Sequence, residues 1–471
     1  MKCLINGEWT DLATQMDVVD PYNNQVIDRV PVATKADMTQ TIDYAVEGAK
    51  TAAAMATHQR CEILRNVAEA LLTDNESFAQ TIAREGIKTI REARGEVRRC
   101  VETLRVASEE ARNIVGETIN FDQMPGSENR IGHYVRIPVG IIAAITPFND
   151  PLNLVAHKIG PAIAAGNAVI LKPHTETPLS ALKLAELFHN AGLPKAVLQV
   201  ITGAGREIGD TLVTDPRVRM VSFTGGRPTG EKIIAKAGLK KIGMELGSNS
   251  AAIIMADADF DNAVASTVSG AYWAAGQNCL HVQRILVHDS IYEMFKQAFV
   301  AKASQYKFGN KLDETTDMGC IIHEKAAQNI EDLLTDALNK GAELVMGGER
   351  DGTVFQPTLI ENVPVDARLH QEEVFGPVSL LYRFDDIDEA IKIVNNVDFG
   401  LQNGIFTKDL STAMKAGQQM ECGGVLINDT GDYRIDAMPF GGVKGSGIGR
   451  EGLKFAIEEM TEIKMFCFNL N

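Results

Sequence analysis

The sequence predicts an α/β fold, with a doubly wound parallel sheet, a second α/β unit after it, and a small separate strand element. Three observations carry that expectation. Between residues 137 and 256, short β-branched runs alternate with helical stretches, the pattern of a parallel sheet covered by helices on both faces. The alternation continues more loosely through 257–430. The last residues, 460–471, are apolar and rich in β-formers at Ile463, Met465, Phe466 and Phe468. At 471 residues and 45% hydrophobic composition, the chain is long enough for two or three domains.

Each element has a local reason. The first 20 or so residues read as short strands, with Asn6-Gly7 as one hairpin turn and residues 20–24 (DPYNN) as another. From 35 to about 115 the pattern is helical, with Ile63, Val67, Ala70 and Leu71 at helical spacing. Residues 116–135 are polar and turn-rich around Pro125-Gly126-Ser127. Strands are expected at 139–145, 168–172, 197–202, 218–223 and 251–255, and a helix at 178–190 that Gly192 ends. The terminal strand can pair across a subunit interface, or equally lie as a buried edge strand.

Charge and cysteine usage exclude several classes. Lys and Arg total 46 against 62 Asp and Glu, a formal charge of −16. That balance argues against nucleic acid and against an anionic membrane surface as partners. An anionic small molecule must then be caught by local positive charge. The start of the chain lacks a signal-peptide pattern, and no uncharged apolar run reaches ~18 residues. The seven cysteines (Cys3, Cys61, Cys100, Cys279, Cys320, Cys422, Cys467) are scattered without CxxC spacing, and there is no HExxH. Neither a disulfide framework nor a metal site is expected, and a reducing cytoplasm suits the chain.

Several residues stand at positions where chemistry is possible, each with a bland alternative. Residues 223–230 (FTGGRPTG) follow a strand and open a helix, where glycines let backbone approach a phosphate or merely form a tight turn. Gly205 and Gly209 belong to a second glycine loop without GxGxxG spacing. Cys279 is either a nucleophile or a small buried apolar residue. Glu245 stands in a glycine-flanked apolar stretch, Asn149 in a turn, and Lys172 at a strand end.

In this order the pieces resemble the aldehyde dehydrogenase superfamily across essentially the whole chain. The supporting motifs are TPFNDP (146–151), ILKPH (170–174), FTGGRPTG (223–230), MELGS (244–248), GQNC (276–279), QEEVFGP (371–377) and MPFGGVKGSGIGREG (438–452). The resemblance implies a Rossmann-type cofactor domain (1–118 and 139–245), a catalytic domain (246–455) and an oligomerisation element (119–138 and 456–471) in a homodimer or homotetramer. It implies an NAD(P)-dependent enzyme in which the Cys279 thiolate attacks the aldehyde carbon. Asn149 and the Cys279 backbone N–H then hold the oxyanion, and Glu245 activates water. Phe148, Lys172, Thr175, Gly205, Gly209, Phe223, Gly225, Gly226, Gly230, Leu246, Glu373 and Phe375 are the implied cofactor residues, and Glu451 sits at a possible proton-relay position. Family members that release a coenzyme A ester lack the glutamate, so Glu245 implies release of a free acid.

Family members that prefer NAD commonly carry a glutamate three residues after the lysine. Here that position is Thr175, with Glu176 one step off, so both NAD and NADP are expected to serve. For the substrate, Arg99 and Arg434 are suited to a carboxylate, phosphonate or sulfonate. Otherwise Arg434 pairs with Asp436, and Arg99 with Glu102 or Glu96. His281 either adds a donor at the pocket mouth or packs. Some family members that act on anionic aldehydes place an arginine immediately before the cysteine, but this chain has Asn278 there, which argues against a phosphorylated sugar aldehyde such as glyceraldehyde 3-phosphate. The expected substrate is a short aldehyde with a terminal anion, such as sulfoacetaldehyde, phosphonoacetaldehyde or succinate semialdehyde. Lactaldehyde or a broad neutral range is the alternative, and a non-catalytic binding protein the remote one.

Overall fold

The computed structural model describes residues 1–470. Its first large sheet runs, edge to edge, Glu8–Thr10, Cys3–Ile5, Leu198–Val200, Ala168–Lys172, Ile141–Ile145, Val218–Thr224, Lys241–Glu245 and Gly447–Ile448. The five from Leu198–Val200 to Lys241–Glu245 are parallel, and antiparallel strands close both edges. Side chains alternate between faces as a pleat requires. Ile142, Ala144, Val169 and Leu171 enter one core, and Ile141, Ala143 and Ile170 the other. Helices cover both faces, including Lys35–Ala54, Ile90–Glu110 and the wholly buried Asn153–Ala164.

The second large sheet runs Glu343–Met346, Thr358–Glu361, Val378–Phe384, Val282–His288, Ser250–Ile254, Gln402–Phe406 and Gly424–Ile427. Ala252 and Ile254 point to one core, Ala251 and Ile253 to the other. The chain then returns to the first unit, where Leu453, Ile457 and Met460 join its core.

Two expectations about the strand element change. The segment read as polar and turn-rich up to 135 already contains a strand, Arg130–Pro138. It pairs antiparallel with Thr461–Asn469 along its whole length, and Thr118–Ile119 lies on its other side. Nor is the terminal strand a buried edge, because Glu462–Asn469 is exposed throughout and shows Ile463, Met465, Phe466 and Phe468 to solvent.

The geometry places the site. Lys172 is in register with Ile145, Phe223 with Ile145, and Thr224 with Glu245, so the carboxyl ends of four parallel strands lie side by side. Cys279 and Phe375 each precede a strand of the second sheet, so that sheet's amino edge faces the first sheet's carboxyl edge. Close packing tests the arrangement. A Cβ on Gly48, in helix Lys35–Ala54, would lie 1.9 Å from the Ala196 carbonyl oxygen, whereas one on Gly417, in exposed helix Leu410–Gln419, would meet nothing. We expect Gly48→Ala to lower unfolding free energy by about 2–3 kcal/mol and Gly417→Ala to raise it by about 0.5–1 kcal/mol, both read by denaturant titration.

Candidate active site

Two cavities meet at Cys279. One, of about 810 Å³, is lined by Phe148, Lys172, Thr175, Gly205, Gly209, Phe223, Gly225, Gly226, Leu246, Glu373 and Phe375, together with Asn149 and Cys279. The other, of about 560 Å³, is lined by Arg99, Asp150, Glu245, Trp273, Arg434, Phe440 and Glu451, again with Asn149 and Cys279. Leu154 and Thr224 are the other walls in common.

The loop that carries Cys279 has an uncommon backbone. Ala274 (φ 52, ψ 33), Ala275 (φ 52, ψ 37) and Gly276 (φ 67) are left-handed in succession. A Cβ on Gly276 would fall 2.1 Å from the Gly376 carbonyl oxygen, so this position requires glycine both for conformation and for space. Side chains then fasten the loop. Gln277 donates to the Cys320 carbonyl (3.0 Å) and accepts from the Ile322 N–H (3.0 Å). Asn278 donates to the Trp273 carbonyl (3.3 Å) and accepts from the Leu280 N–H (2.9 Å). Glu92 accepts from the Ala274 N–H at 2.8 Å.

Electrostatics favour the neutral forms of both reactive candidates. Burial first, and then the carboxylates of Glu245 and Glu373, push the Cys279 thiol above its usual range, while Arg434 opposes them. Burial and the Glu451 charge raise Glu245 well above the carboxylate range. Its Oε2 is buried without a hydrogen-bond partner, and a Cβ on Gly441 would come within 2.9 Å of its Oε1.

Arg434 is locked in place. Its Nη2 donates to Glu451 (3.2 Å) and to His157 Nδ1 (3.4 Å), and its guanidinium stacks 3.8 Å above the Phe440 ring. Its Nε is buried with no partner among the described residues. Against burial, Lys158, 3.4 Å away, and Arg434 hold the Glu451 carboxyl down at about 2. The alternative pairings read from the sequence are not the ones formed. Asp436 accepts from His157 (2.9 Å) and lies 4.0 Å from Arg99, Glu102 pairs with Arg105, and Glu96 pairs with Lys88. Sequence neighbours on a turn point to different elements, so proximity in the chain did not decide the partner.

In the larger cavity, burial lowers Lys172 to about 8, and its Nζ donates to the Pro173 carbonyl at 3.0 Å. Glu373 accepts from the Ser248 N–H (2.7 Å), and burial raises it to about 7. A Cβ on Gly247 would lie 2.2 Å from Glu373 Oε2, so glycine there makes room for the carboxylate. Phe375 is left-handed at φ 46 and packs edge-on to Phe148 at 5.7 Å. Gly230 does not line the cavity. It lets Leu246 approach, since a Cβ there would meet Leu246 Cδ2 at 2.5 Å.

His281 lines neither cavity. It is buried with Nε2 unpartnered, and burial lowers it to about 3. Missed by the sequence reading were Arg206 and Lys232, which add positive charge to the larger cavity, and Asp150 and His157. The last was legible in one respect, because a His and a Lys inside an otherwise apolar helical run need buried partners. No group of three metal-ligating side chains occurs among the described residues, and among these no helix is long and apolar enough to cross a membrane.

Known proteins share this architecture. The model of the aldehyde dehydrogenase family matches residues 9–466. The 3-sulfolactaldehyde dehydrogenase of Priestia aryabhattai is 47% identical over 466 residues, covering 99% of this chain and 97% of that protein. The crystal structure of aldehyde dehydrogenase 21 from Physcomitrella patens, in complex with the reaction product succinate, gives a TM-score of 0.97 at 41% identity, covering 100% of this chain and 98% of that one. Glyceraldehyde-3-phosphate dehydrogenase from Methanocaldococcus jannaschii, complexed with NADP, gives 0.93 at 40% identity, covering 97% and 100%.

The charge arrangement around Cys279 has a direct readout. In the free protein, its alkylation by iodoacetamide should still be rising between pH 9 and 10, followed by peptide-resolved mass spectrometry. A plateau below pH 8 would contradict the raised thiol.

Proposed function

The chain belongs to the aldehyde dehydrogenase family, and we propose that it oxidises a short aldehyde bearing a terminal anion to the free carboxylic acid with NAD or NADP. The observation that carries the anionic preference is Arg434 Nε, a buried donor without a protein partner on a guanidinium that lines the smaller cavity beside Cys279. An unsatisfied buried donor costs about 1–3 kcal/mol, and a sulfonate or carboxylate oxygen relieves that cost. Arg99, half-exposed and held only by a 4.0 Å contact to Asp436, supplies a second fork. The similar 3-sulfolactaldehyde dehydrogenase and the similar aldehyde dehydrogenase 21, solved with its product succinate, support the same class.

The chain's own groups divide the work. Cys279, its thiol proton lost to solvent, attacks the aldehyde carbon as the thiolate, and the Asn149 amide with the Cys279 N–H stabilises the resulting oxyanion, such donors being worth roughly 3–4 kcal/mol each. A nicotinamide cofactor held in the larger cavity would supply the hydride acceptor through which the thiohemiacetal on Cys279 becomes a thioester. Glu245 acts in its carboxylate form, made a stronger base by burial and by the Glu451 charge, taking the proton of the attacking water and passing it to the departing Cys279 thiolate. Hydrolysis frees the acid and restores the thiol.

The larger cavity suits a dinucleotide. Thr146 and Thr224 contribute buried hydroxyls without protein partners, and a Cβ on Gly209 would project into open space. Gly225 and Gly226 lie at the amino end of helix Arg227–Ala237, where backbone N–H groups suit a pyrophosphate. Glu373 would hold a ribose, Phe375 would pack beside the nicotinamide, and Lys172 and Thr175 would hold the adenosine ribose. With Arg206 and Lys232 on the wall and no glutamate at 175, a 2′-phosphate is accepted. The exposed apolar strand Thr461–Asn469 supports assembly as a homodimer or homotetramer, and the scattered cysteines support a reducing cytoplasm.

A kinetic panel of short anionic and neutral aldehydes, without coenzyme A, tests the reaction. We expect acid formation throughout, loss of at least about a thousandfold in Cys279→Ser, and a fall in kcat/KM of roughly thirtyfold for anionic aldehydes alone in Arg99→Ala, as removing a bond worth about 2 kcal/mol predicts. Equal losses on neutral and anionic aldehydes would overturn the anion site. For the cofactor, kcat/KM with NAD should exceed that with NADP by less than about a thousandfold, and Arg206→Ala should cost NADP about tenfold more than NAD.

A further inference from the structure

His157 lines neither cavity, yet it bears on the one donor that the proposed anion site depends on. It stands on the buried helix Asn153–Ala164 and is itself 2% exposed. Its two ring nitrogens face partners of opposite kind. Nε2 lies 2.9 Å from a carboxylate oxygen of Asp436, which accepts. Nδ1 lies 3.4 Å from Arg434 Nη2, which can only donate. The ring therefore carries its hydrogen on Nε2 and a lone pair on Nδ1, and Asp436 fixes that choice. Protonation of the ring would set two donors against each other, and burial together with the Arg434 charge opposes it.

Arg434 has a simpler partner within reach. An arginine beside a carboxylate commonly closes a two-pronged pair, with two parallel N–H groups on the two oxygens. Glu451 stands 3.2 Å from Nη2, but the pair has a single prong and Nε stays unpartnered. Two contacts hold the guanidinium back from closing it. Phe440 fixes its plane at 3.8 Å, and His157 Nδ1 takes the second hydrogen of Nη2. Glu451 is restrained from the other side, because its Oε1 lies 3.4 Å from Lys158 Nζ, which also donates to Ser222 at 3.1 Å. Asp436, which orients the histidine, also lies 4.0 Å from Arg99, so both arginines of the smaller cavity share one support.

We propose that His157 is a positioning residue that keeps Arg434 Nε free for the substrate's anion, by occupying Nη2 and so preventing the guanidinium from closing its fork on Glu451. Without the acceptor at Nδ1 the fork closes, the protein itself satisfies Nε, and an anion must break that pair in order to bind. Selectivity for anions is then set by a side chain that does not touch the substrate. This rests on the anionic reading of the smaller cavity.

The test uses two substitutions of nearly equal size. His157→Leu and His157→Asn both remove the imidazole from Asp436, but the carboxamide oxygen of His157→Asn reaches the place of Nδ1, whereas His157→Leu offers no acceptor. One readout is the ratio of kcat/KM for succinate semialdehyde to that for pentanal. The other is the Kd of 3-sulfopropanoate by calorimetry, which needs no turnover. In His157→Leu the ratio should fall and the Kd rise by at least about tenfold, with the kinetic loss in KM rather than kcat. In His157→Asn both should stay within about threefold of the wild type, and His157→Phe replaces His157→Leu if that variant does not fold. Wild-type values in His157→Leu, or equal losses in both variants, overturn the role of His157. Failure of Arg434→Ala to change either readout overturns the anion site itself, and failure of the wild type to oxidise both aldehydes overturns the aldehyde-oxidising reading.

Discussion

Cys279 can be reached from two cavities only because the backbone before it turns left-handed at three residues in a row, Ala274, Ala275 and Gly276. Non-glycine residues in that region cost of order 1 kcal/mol or more each, and they persist where surrounding contacts over-determine them. Here those contacts come from far away in the chain. Gln277 is tied to Cys320 and Ile322, Ala274 to Glu92, and Gly276 lies flat against the Gly376 carbonyl. The Gly376 segment also carries Phe375, itself left-handed, into the larger cavity. One set of close approaches therefore positions both the sulfur and a wall of the adjoining pocket. Each depends on an absent Cβ or on a particular polar side chain.

Buried charge follows from that placement. Two sheets meeting edge to edge leave a seam too deep for water to solvate ions freely, so every ion in it needs a partner. Helix Asn153–Ala164, buried on all sides, brings His157 and Lys158 into the seam. They meet Asp436 and Glu451 from the segment that returns to the first unit. Arg434 bridges Glu451 and His157, which joins the two pairs into one network. The network holds Glu451 ionised, and the Glu451 charge in turn raises Glu245. Proton affinity at Glu245 is thus set partly by residues that never touch it.

Much of this was legible in the sequence, and the failures share a cause. The strand at 168–172 and the helix ending at Asn190 were readable because β-branched runs and a terminal glycine are local signals. Strand Arg130–Pro138 was hidden, because its partner lies more than three hundred residues on and neither face is packed to give a periodic pattern. In the site, the motif order identified which side chains converge, and nearly all of them line one cavity or the other. What spacing could not give was pairing. Arg434 and Asp436 are two residues apart yet bond to different partners, and His281, two residues from Cys279, is buried and lines neither cavity. Turns and the residues beside a kink send adjacent side chains in opposite directions, so only the tertiary arrangement assigns them.

The acidic character of the chain sharpens the role of these few arginines. With a formal charge of −16 the general field repels anions, so attraction must come from cations held at short range inside a low-dielectric pocket. Arg434 meets that condition because its plane is already fixed by Phe440 and its Nη2 already engaged, leaving little side-chain entropy to lose when a ligand arrives. Arg99 differs, being half-exposed and loosely held at the outer end, where screening by water weakens it. In the proposed anion site, the inner arginine would set which anion is bound and at what depth, and the outer one how readily it enters. Depth is what matters for chemistry. Under that proposal, an anion fixed at Arg434 would bring the other end of only a short molecule to the sulfur of Cys279, making the separation of guanidinium and thiol a ruler for chain length.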